Sequence, residues 1–390
     1  MPIFVRDRFT WLGYLLTGYL AYMQAVMTPA ARFLSSETGY SYTERSLHLG
    51  LAACGGVLIG LVGDRLTARV GRFVVLWGGA ALMLVGMLIA VWGMTLPVTL
   101  GGALLSGLGG AIQLITIQAA YSDLHGVRRS FALTESNIIA SFTVLFAPVL
   151  AGELQRAGIG WRGAIYLPGI IVACIAIAFW RTPIPPIQGE GSSPQAARRL
   201  LPFRFWLAVT ANGVGTAAEW STIFWASEFL EKVVGFAAID SVTLLSLFFL
   251  AMLAGRFVGS RLARHYPPAP LFVGAFLLAL VGFLLLWQAK IPTLNVIGLF
   301  ITGLGIANLY PQGVSLSLES APGQANTASA RNTLFVGMAI FTAPLILGGI
   351  GDQVGIFNAY GFVVLFLAVG AALALAAFVL VRRENRGGFV

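Results

Sequence analysis

Long apolar runs follow one another along the whole chain, separated only by short polar intervals. A helix needs about 20 apolar residues to cross the hydrocarbon core of a bilayer, and runs of that length recur throughout. They predict membrane-spanning helices over residues 10–31, 45–63, 73–92, 97–120, 131–152, 163–181, 203–227, 241–259, 270–288, 294–318, 327–348 and 360–381. Twelve such spans describe an all-α membrane protein and exclude a soluble body with one anchor. The first run is too long for a secretory leader core, and no small-residue cleavage site follows it, so it reads as the first span.

The longest polar interval is rich in Pro, Gly and Ser and runs from Pro183 through Pro194. It divides the chain into an N-terminal six-helix bundle (1–182), a linker (183–202) and a C-terminal six-helix bundle (203–390). Sliding the sequence by 196 residues supports a duplication. At that offset Ser106-Gly107-Leu108-Gly109 aligns with Thr302-Gly303-Leu304-Gly305, and Ala147-Pro148 and Gly152 align with Ala343-Pro344 and Gly348. Gly63, Arg65 and Leu66 likewise align with Gly259, Arg261 and Leu262. Six spans return the chain to its starting side, so the halves are parallel repeats about an axis along the membrane normal. A body of two such halves can rock around a site at the midplane.

Composition strengthens this picture. Hydrophobic residues make up 58% of the chain and charged residues 10%, where a soluble chain carries roughly a quarter charged. The net charge of +9 could suggest a nucleic-acid partner, but its distribution points elsewhere. With a cytoplasmic N-terminus, sixteen arginines fall in cytoplasmic segments, against six Arg and Lys on the opposite side. That bias sets both termini in the cytoplasm of a multi-pass protein of the cytoplasmic membrane. Arg128, Arg129, Arg198 and Arg199 are expected only to set topology and meet anionic lipid. Cys54 and Cys174 sit in apolar runs and read as small buried hydrophobes. The three histidines have no ligand-like spacing, so no metal and no cofactor is expected.

The stretch after span two, Gly60-Leu-Val-Gly-Asp64-Arg65 followed by Arg69-Val70-Gly71-Arg72, is similar to the loop motif of the major facilitator superfamily. The resemblance covers essentially the whole chain. It departs from the motif by three extra residues between Asp64-Arg65 and Arg69. Span four also lacks the arginine that many drug/proton antiporters carry, with Ala103 near its place, which weakens that subfamily assignment. The resemblance implies the twelve-helix fold of two pseudo-symmetric six-helix bundles and alternating-access transport, in a protein expected to be monomeric. It further implies that spans one, four, seven and ten line a central cavity, that span two meets span eleven, and that span five meets span eight.

Charges inside spans are the informative residues, because each costs about 2.5–3.5 kcal/mol at the bilayer centre on insertion scales unless paired or hydrated. Glu219 lies near the middle of span seven on one polar, small-residue stripe with Asn212, Gly215, Thr216 and Thr222. It reads as a proton-coupling or cation-binding carboxylate, against the alternative of a permanently protonated acid bonded to another helix. Candidate substrate contacts are Tyr19, Tyr22 and Gln24 in span one, Gln113 in span four, Asn212 and Trp220 in span seven, and Asn308 and Gln312 in span ten. The aromatics among them could equally be core or interface residues. The repeat offset matches Glu135 with Arg331, an inversion of charge. With the packing the resemblance implies, Asp64 would pair with Arg331 and Glu135 with Arg256, two latches on the cytoplasmic side beside Arg65. Arg256 and Arg331 snorkelling to headgroups is the plain alternative.

No Arg or Lys lies near mid-membrane in spans one, four, seven or ten, which argues against an anionic substrate. The expected function is secondary active transport, proton-coupled through Glu219, of a cationic or amphipathic small organic molecule, with export favoured. A proton-coupled symporter of a neutral sugar-like metabolite, and a lipid-handling or uniporting member of the superfamily, are the alternatives. An enzyme would need a paired catalytic constellation at a membrane–water loop, and the scattered acids offer none.

Overall fold

A computed structural model of the chain describes residues 5–126, 129–185, 201–321 and 324–387. The chain divides into two compact units, Met1–Glu190 and Gly191–Val390. Among the described residues it forms thirteen α-helices and one π turn, with no strand. The first unit holds α1 (Arg8–Thr38), α2 (Tyr42–Val70), α3 (Arg72–Trp92), α4 (Leu96–His125), α5 (Arg129–Arg156) and α6 (Gly163–Phe179). The second holds α7 (Phe203–Phe229), a π turn (Leu230–Val234), α8 (Ala238–Leu262), α9 (Pro268–Gln288), α10 (Pro292–Ile306), α11 (Leu309–Glu319), α12 (Ala325–Val354) and α13 (Ile356–Gly387).

Nine segments among the described residues are long and apolar enough to cross a membrane, with Pro292–Glu319 counted as one. The helix α6 is apolar but shorter, while α1 and α7 are long and interrupted by polar positions. Most of the linker expected at 183–202 lies outside the described residues.

Local signals set the ends. Asp7 caps α1 by accepting from the Thr10 amide at 2.7 Å. Ser41 and Glu44 form a reciprocal capping box that starts α2. The loop expected after span two is mostly helix, because α2 continues through Asp64, Arg65 and Arg69 to Val70. Nothing between Gly63 and Val70 breaks a helix, and the turn falls on Gly71, whose φ of 85° suits glycine. Span ten is broken. Helix α10 ends at Ile306 and α11 starts at Leu309, because Pro311 has no N–H to offer the carbonyl of Ala307, four residues back.

Within each unit a seam of glycines brings two consecutive antiparallel helices together backbone to backbone. A Cβ on Gly86 of α3 would lie 2.3 Å from the Ser106 amide nitrogen, and one on Gly102 of α4 would lie 2.4 Å from that of Ala90. The same seam recurs between α9 and α10, where Gly282 would meet the Thr302 nitrogen at 2.4 Å and Gly298 that of Leu286 at 2.3 Å. Gly109 and Gly305 repeat it again, at 2.4 Å from Met83 and from Ala279. These pairs stand 196 residues apart, so the duplication read from the sequence is also a duplication of backbone contacts. Close backbone approach at small residues is how helices associate where lipid removes the hydrophobic driving force.

Polar clusters tie the ends of the first unit. The Arg72 guanidinium donates to Asp123 at 2.5 Å and to the Pro185 carbonyl at 2.8 Å, joining α3, α4 and the segment beyond α6. At the other end, Glu37 accepts from Arg162 at 2.6 Å and from the Trp161 indole at 2.7 Å. The Arg162 guanidinium also lies over the Trp92 and Trp161 rings. Cys54 is half-buried and Cys174 is exposed on α6, not buried as the apolar runs suggested.

Candidate functional site

The polar stripe of α7 lies against the broken span. Its lower part is closed: the Asn212 amide donates to Asn332 of α12 at 2.8 Å, and a Cβ on Gly313 would strike Asn212. The Thr216 and Thr222 hydroxyls turn back to the carbonyls of Asn212 and Ala218. One turn above Asn212, Gly215 touches Leu309, the first residue of α11. Glu219 follows one turn further and is half-buried. Since α7 and α11 run antiparallel, that step carries Glu219 to the level of the break at 307–308.

The other flank of the break is α8. Gly255 lies against Leu304 and Ala307, and Gly259 against the Asn308 side chain, which donates to the Gly255 carbonyl at 2.9 Å. Arg256, next to Gly255 and exposed, is therefore at the same depth as Glu219. Its guanidinium and the Tyr310 hydroxyl both lie within electrostatic range of the Glu219 carboxylate. Glu219, Arg256, Asn308 and Tyr310 thus gather around one discontinuity in the C-terminal unit. The expectation that cations are missing near the acid considered only spans one, four, seven and ten; the arginine comes from span eight.

The other expected contacts have various roles. The Tyr19 and Tyr22 hydroxyls donate to the carbonyls of Ala80 and Ala164, and both side chains are buried within the first unit. Gln113 is fully buried and donates to the Leu16 carbonyl at 3.3 Å, leaving its side-chain oxygen without a hydrogen-bond partner. Gln24 is exposed, Trp220 half-buried, and Gln312 buried in α11. Arg65 and Arg331 are exposed, and the Asp64 side chain lies outside the described residues.

Glu135 has partners in its own unit that the sequence reading did not foresee. Arg6 grips both of its carboxylate oxygens, at 2.8 and 2.5 Å, and the Tyr14 hydroxyl donates to it at 2.5 Å. Tyr14 packs edge-on against Tyr121, whose hydroxyl receives a bond from Ser136 at 3.0 Å. Glu228, near the C-terminal end of α7, was also missed; it is buried and paired with Lys232 at 2.8 Å. Its signal was present as Glu followed by Lys four residues on.

Comparison with known proteins follows from this architecture. The sequence profile of the Major Facilitator Superfamily matches residues 10–330 and, again, 243–388. An uncharacterized MFS-type transporter of Burkholderia pseudomallei strain 1106a is 25% identical over 402 residues, spanning 99% of this chain and 88% of its own. A bacterial homolog of the human lysosomal transporter Spinster, in an inward-facing and occupied conformation, superposes with a TM-score of 0.75 at 14% identity. That match covers 94% of this chain and 96% of the other. A D-xylose-proton symporter superposes with a TM-score of 0.74 at 16% identity, covering 94% and 96%. At such identities the two structures speak for the fold alone.

Proposed function

Because the chain belongs to the Major Facilitator Superfamily, and so is a secondary transporter and not an enzyme, we propose that it couples proton movement through Glu219 to transport of a small amphipathic organic molecule. The observation that carries this reading is the position of Glu219, a half-buried carboxylate on the polar stripe of α7, level with the break in span ten. An acid held inside a span is costly unless it is paired or hydrated, and it is a functional group by default. Discontinuous helices likewise mark substrate and coupling-ion sites in transporters. Tyr310 and Trp220 beside Glu219 suit an apolar body with a polar end. The positive charge of Arg256 within electrostatic range of Glu219 weighs against a permanent cation as substrate. Export from the cytoplasm is the favoured direction, and the cytoplasmic membrane the favoured location.

The test is internal pH in proteoliposomes carrying wild type or Glu219→Gln, while pools of cationic, amphipathic and sugar-like compounds are added outside. The wild type should give a compound-dependent pH change, and the Gln variant should lose it while staying folded by gel filtration. The sign of the change separates antiport from symport. Substrate movement with no pH change, or a variant that acidifies like wild type, would make Glu219 structural and favour a uniporter.

A further inference from the structure

We propose that the face formed by α3 and α6 binds one anionic glycerophospholipid at the end where α3 begins, with Arg181 on its phosphate and Phe73, Val74 and Ile177 along its acyl chains. The site is separate from Glu219 and independent of the coupling role given to it.

Three observations support it. The first is the depth at which this face sits. Helices α3 and α6 touch near both ends and between them. The Trp92 indole donates to the Tyr166 hydroxyl at 2.7 Å, Gly169 lies against Leu84, and Trp180 meets Phe73 edge-on with ring centroids 5.0 Å apart. Aromatic pairs thus mark both ends of the face. Phe73 and Trp92 stand nineteen residues apart on α3, roughly 28 Å along the helix axis. That spacing matches a hydrocarbon core about 30 Å thick, flanked by aromatic belts at its two boundaries.

The second observation is what lies between the belts. Val74 and Val85 of α3, with Ile170, Ile171 and Ile177 of α6, are large apolar side chains left exposed. The third is charge. Just past the Phe73–Trp180 belt, on the side expected to be cytoplasmic, Arg181 is exposed, and among the described residues no carboxylate pairs with it. Arg8, also exposed, donates to the Ala178 carbonyl one turn earlier at 2.6 Å, so two guanidinium groups stand at the end of α6. Other charges nearby have partners of their own. Asp7 accepts from the Thr10 amide and hydroxyl, and Arg72 is joined to Asp123. The opposite end of the face differs, because Arg162 there is paired with Glu37.

The two chemistries select a lipid together. An exposed arginine alone attracts any anion and is screened by salt, while an apolar face alone takes any acyl chain. Where the two meet at a membrane boundary, the guanidinium can fork charge-assisted hydrogen bonds onto a phosphodiester whose chains lie along the apolar face. An indole suits that boundary, with its apolar body among the chains and its polar edge near the headgroups. A zwitterionic headgroup brings its own ammonium, which competes with the guanidinium for the phosphate. An anionic headgroup brings none, so the anionic lipid is favoured.

Native mass spectrometry of the detergent-purified protein, titrated with dioleoyl phosphatidylglycerol or dioleoyl phosphatidylcholine, tests this. Wild type should hold one phosphatidylglycerol more tightly than further copies, and more tightly than phosphatidylcholine. Arg181→Gln should weaken that first phosphatidylglycerol about fivefold, the contribution of one basic residue at an anionic headgroup, and leave phosphatidylcholine unchanged. Trp180→Ala should weaken both lipids, and Trp180→Phe reports if the alanine variant does not fold. Arg264→Gln removes an exposed arginine from the other unit and should leave the first site as it was. Glycerophosphate, a headgroup without chains, should not displace the lipid. Equal retention of the two lipids by wild type overturns the proposal, as does wild-type binding by Arg181→Gln or by Trp180→Ala. An equal loss in Arg264→Gln would mean net charge only, and displacement by glycerophosphate an anion site only; either result also overturns it.

Discussion

Gly282→Leu is expected to eliminate folded, monodisperse protein, and Gly86→Leu to do the same in the other half. At both positions the atoms a side chain would meet belong to the main chain of the next helix: the Thr302 nitrogen at 2.4 Å and the Ser106 nitrogen at 2.3 Å. Main chain has no rotamer to change, so the helices must separate. Separation then costs the neighbouring contacts at Gly298 and Gly305, or at Gly102 and Gly109. Overpacking a core costs about 1–3 kcal/mol where side chains can shift; here the cost should exceed that range. The control lies in the same helices. Gly274 and Gly78 have no atom within 4 Å of an added Cβ, so Gly274→Leu and Gly78→Leu should be recovered at wild-type levels. Gel filtration of detergent extracts reads all four variants, and equal recovery of Gly282→Leu and Gly274→Leu would sink the idea.

Arg72→Ala should have the second largest effect. Arg72 and Asp123 are 9% and 11% exposed, so removing the guanidinium strands a carboxylate that is almost out of water. Breaking a buried pair from one side costs about 3–5 kcal/mol, because the remaining charge keeps its desolvation penalty. The second bond, to the Pro185 carbonyl, is lost with it. A lowered melting temperature in a fixed detergent should report this. Arg72→Ala with Asp123→Asn should recover part of the loss, since the stranded charge is then gone. A double variant no more stable than Arg72→Ala would show that the damage lies in packing and not in the uncompensated acid.

Much of this architecture could be read before the fold. Nine spans among the described residues follow from length and apolarity alone, and the 196-residue offset falls on glycines because close helix approach tolerates no other residue there. Gly107 and Gly109 with Gly303 and Gly305 could be matched for that reason. What failed was direction. Tyr19 and Tyr22 were assigned to a span correctly, but whether a hydroxyl faces a cavity or the Ala80 and Ala164 carbonyls is decided by the rotation of α1. The motif around Asp64 was taken for a loop because its charges look soluble, yet a helix can carry charges past the membrane surface at no cost to its backbone. The Arg6–Glu135 pair joins residues 129 positions apart and has no local signature. Arg256 was expected as the latch partner of Glu135; its place near Glu219 depends on where span ten breaks.

The two glycine seams have a mechanical consequence. Helices locked backbone to backbone slide or bend against each other only by losing the contacts that join them. Each half therefore contains a stiff plank, α3 with α4 in the first and α9 with α10 in the second. The plank in the second half ends at Ile306, where the chain loses its helical continuity and α11 begins. Whatever bending the C-terminal half undergoes in a transport cycle should concentrate at that edge, beside Glu219 and Arg256, and the first half has no matching joint in α4.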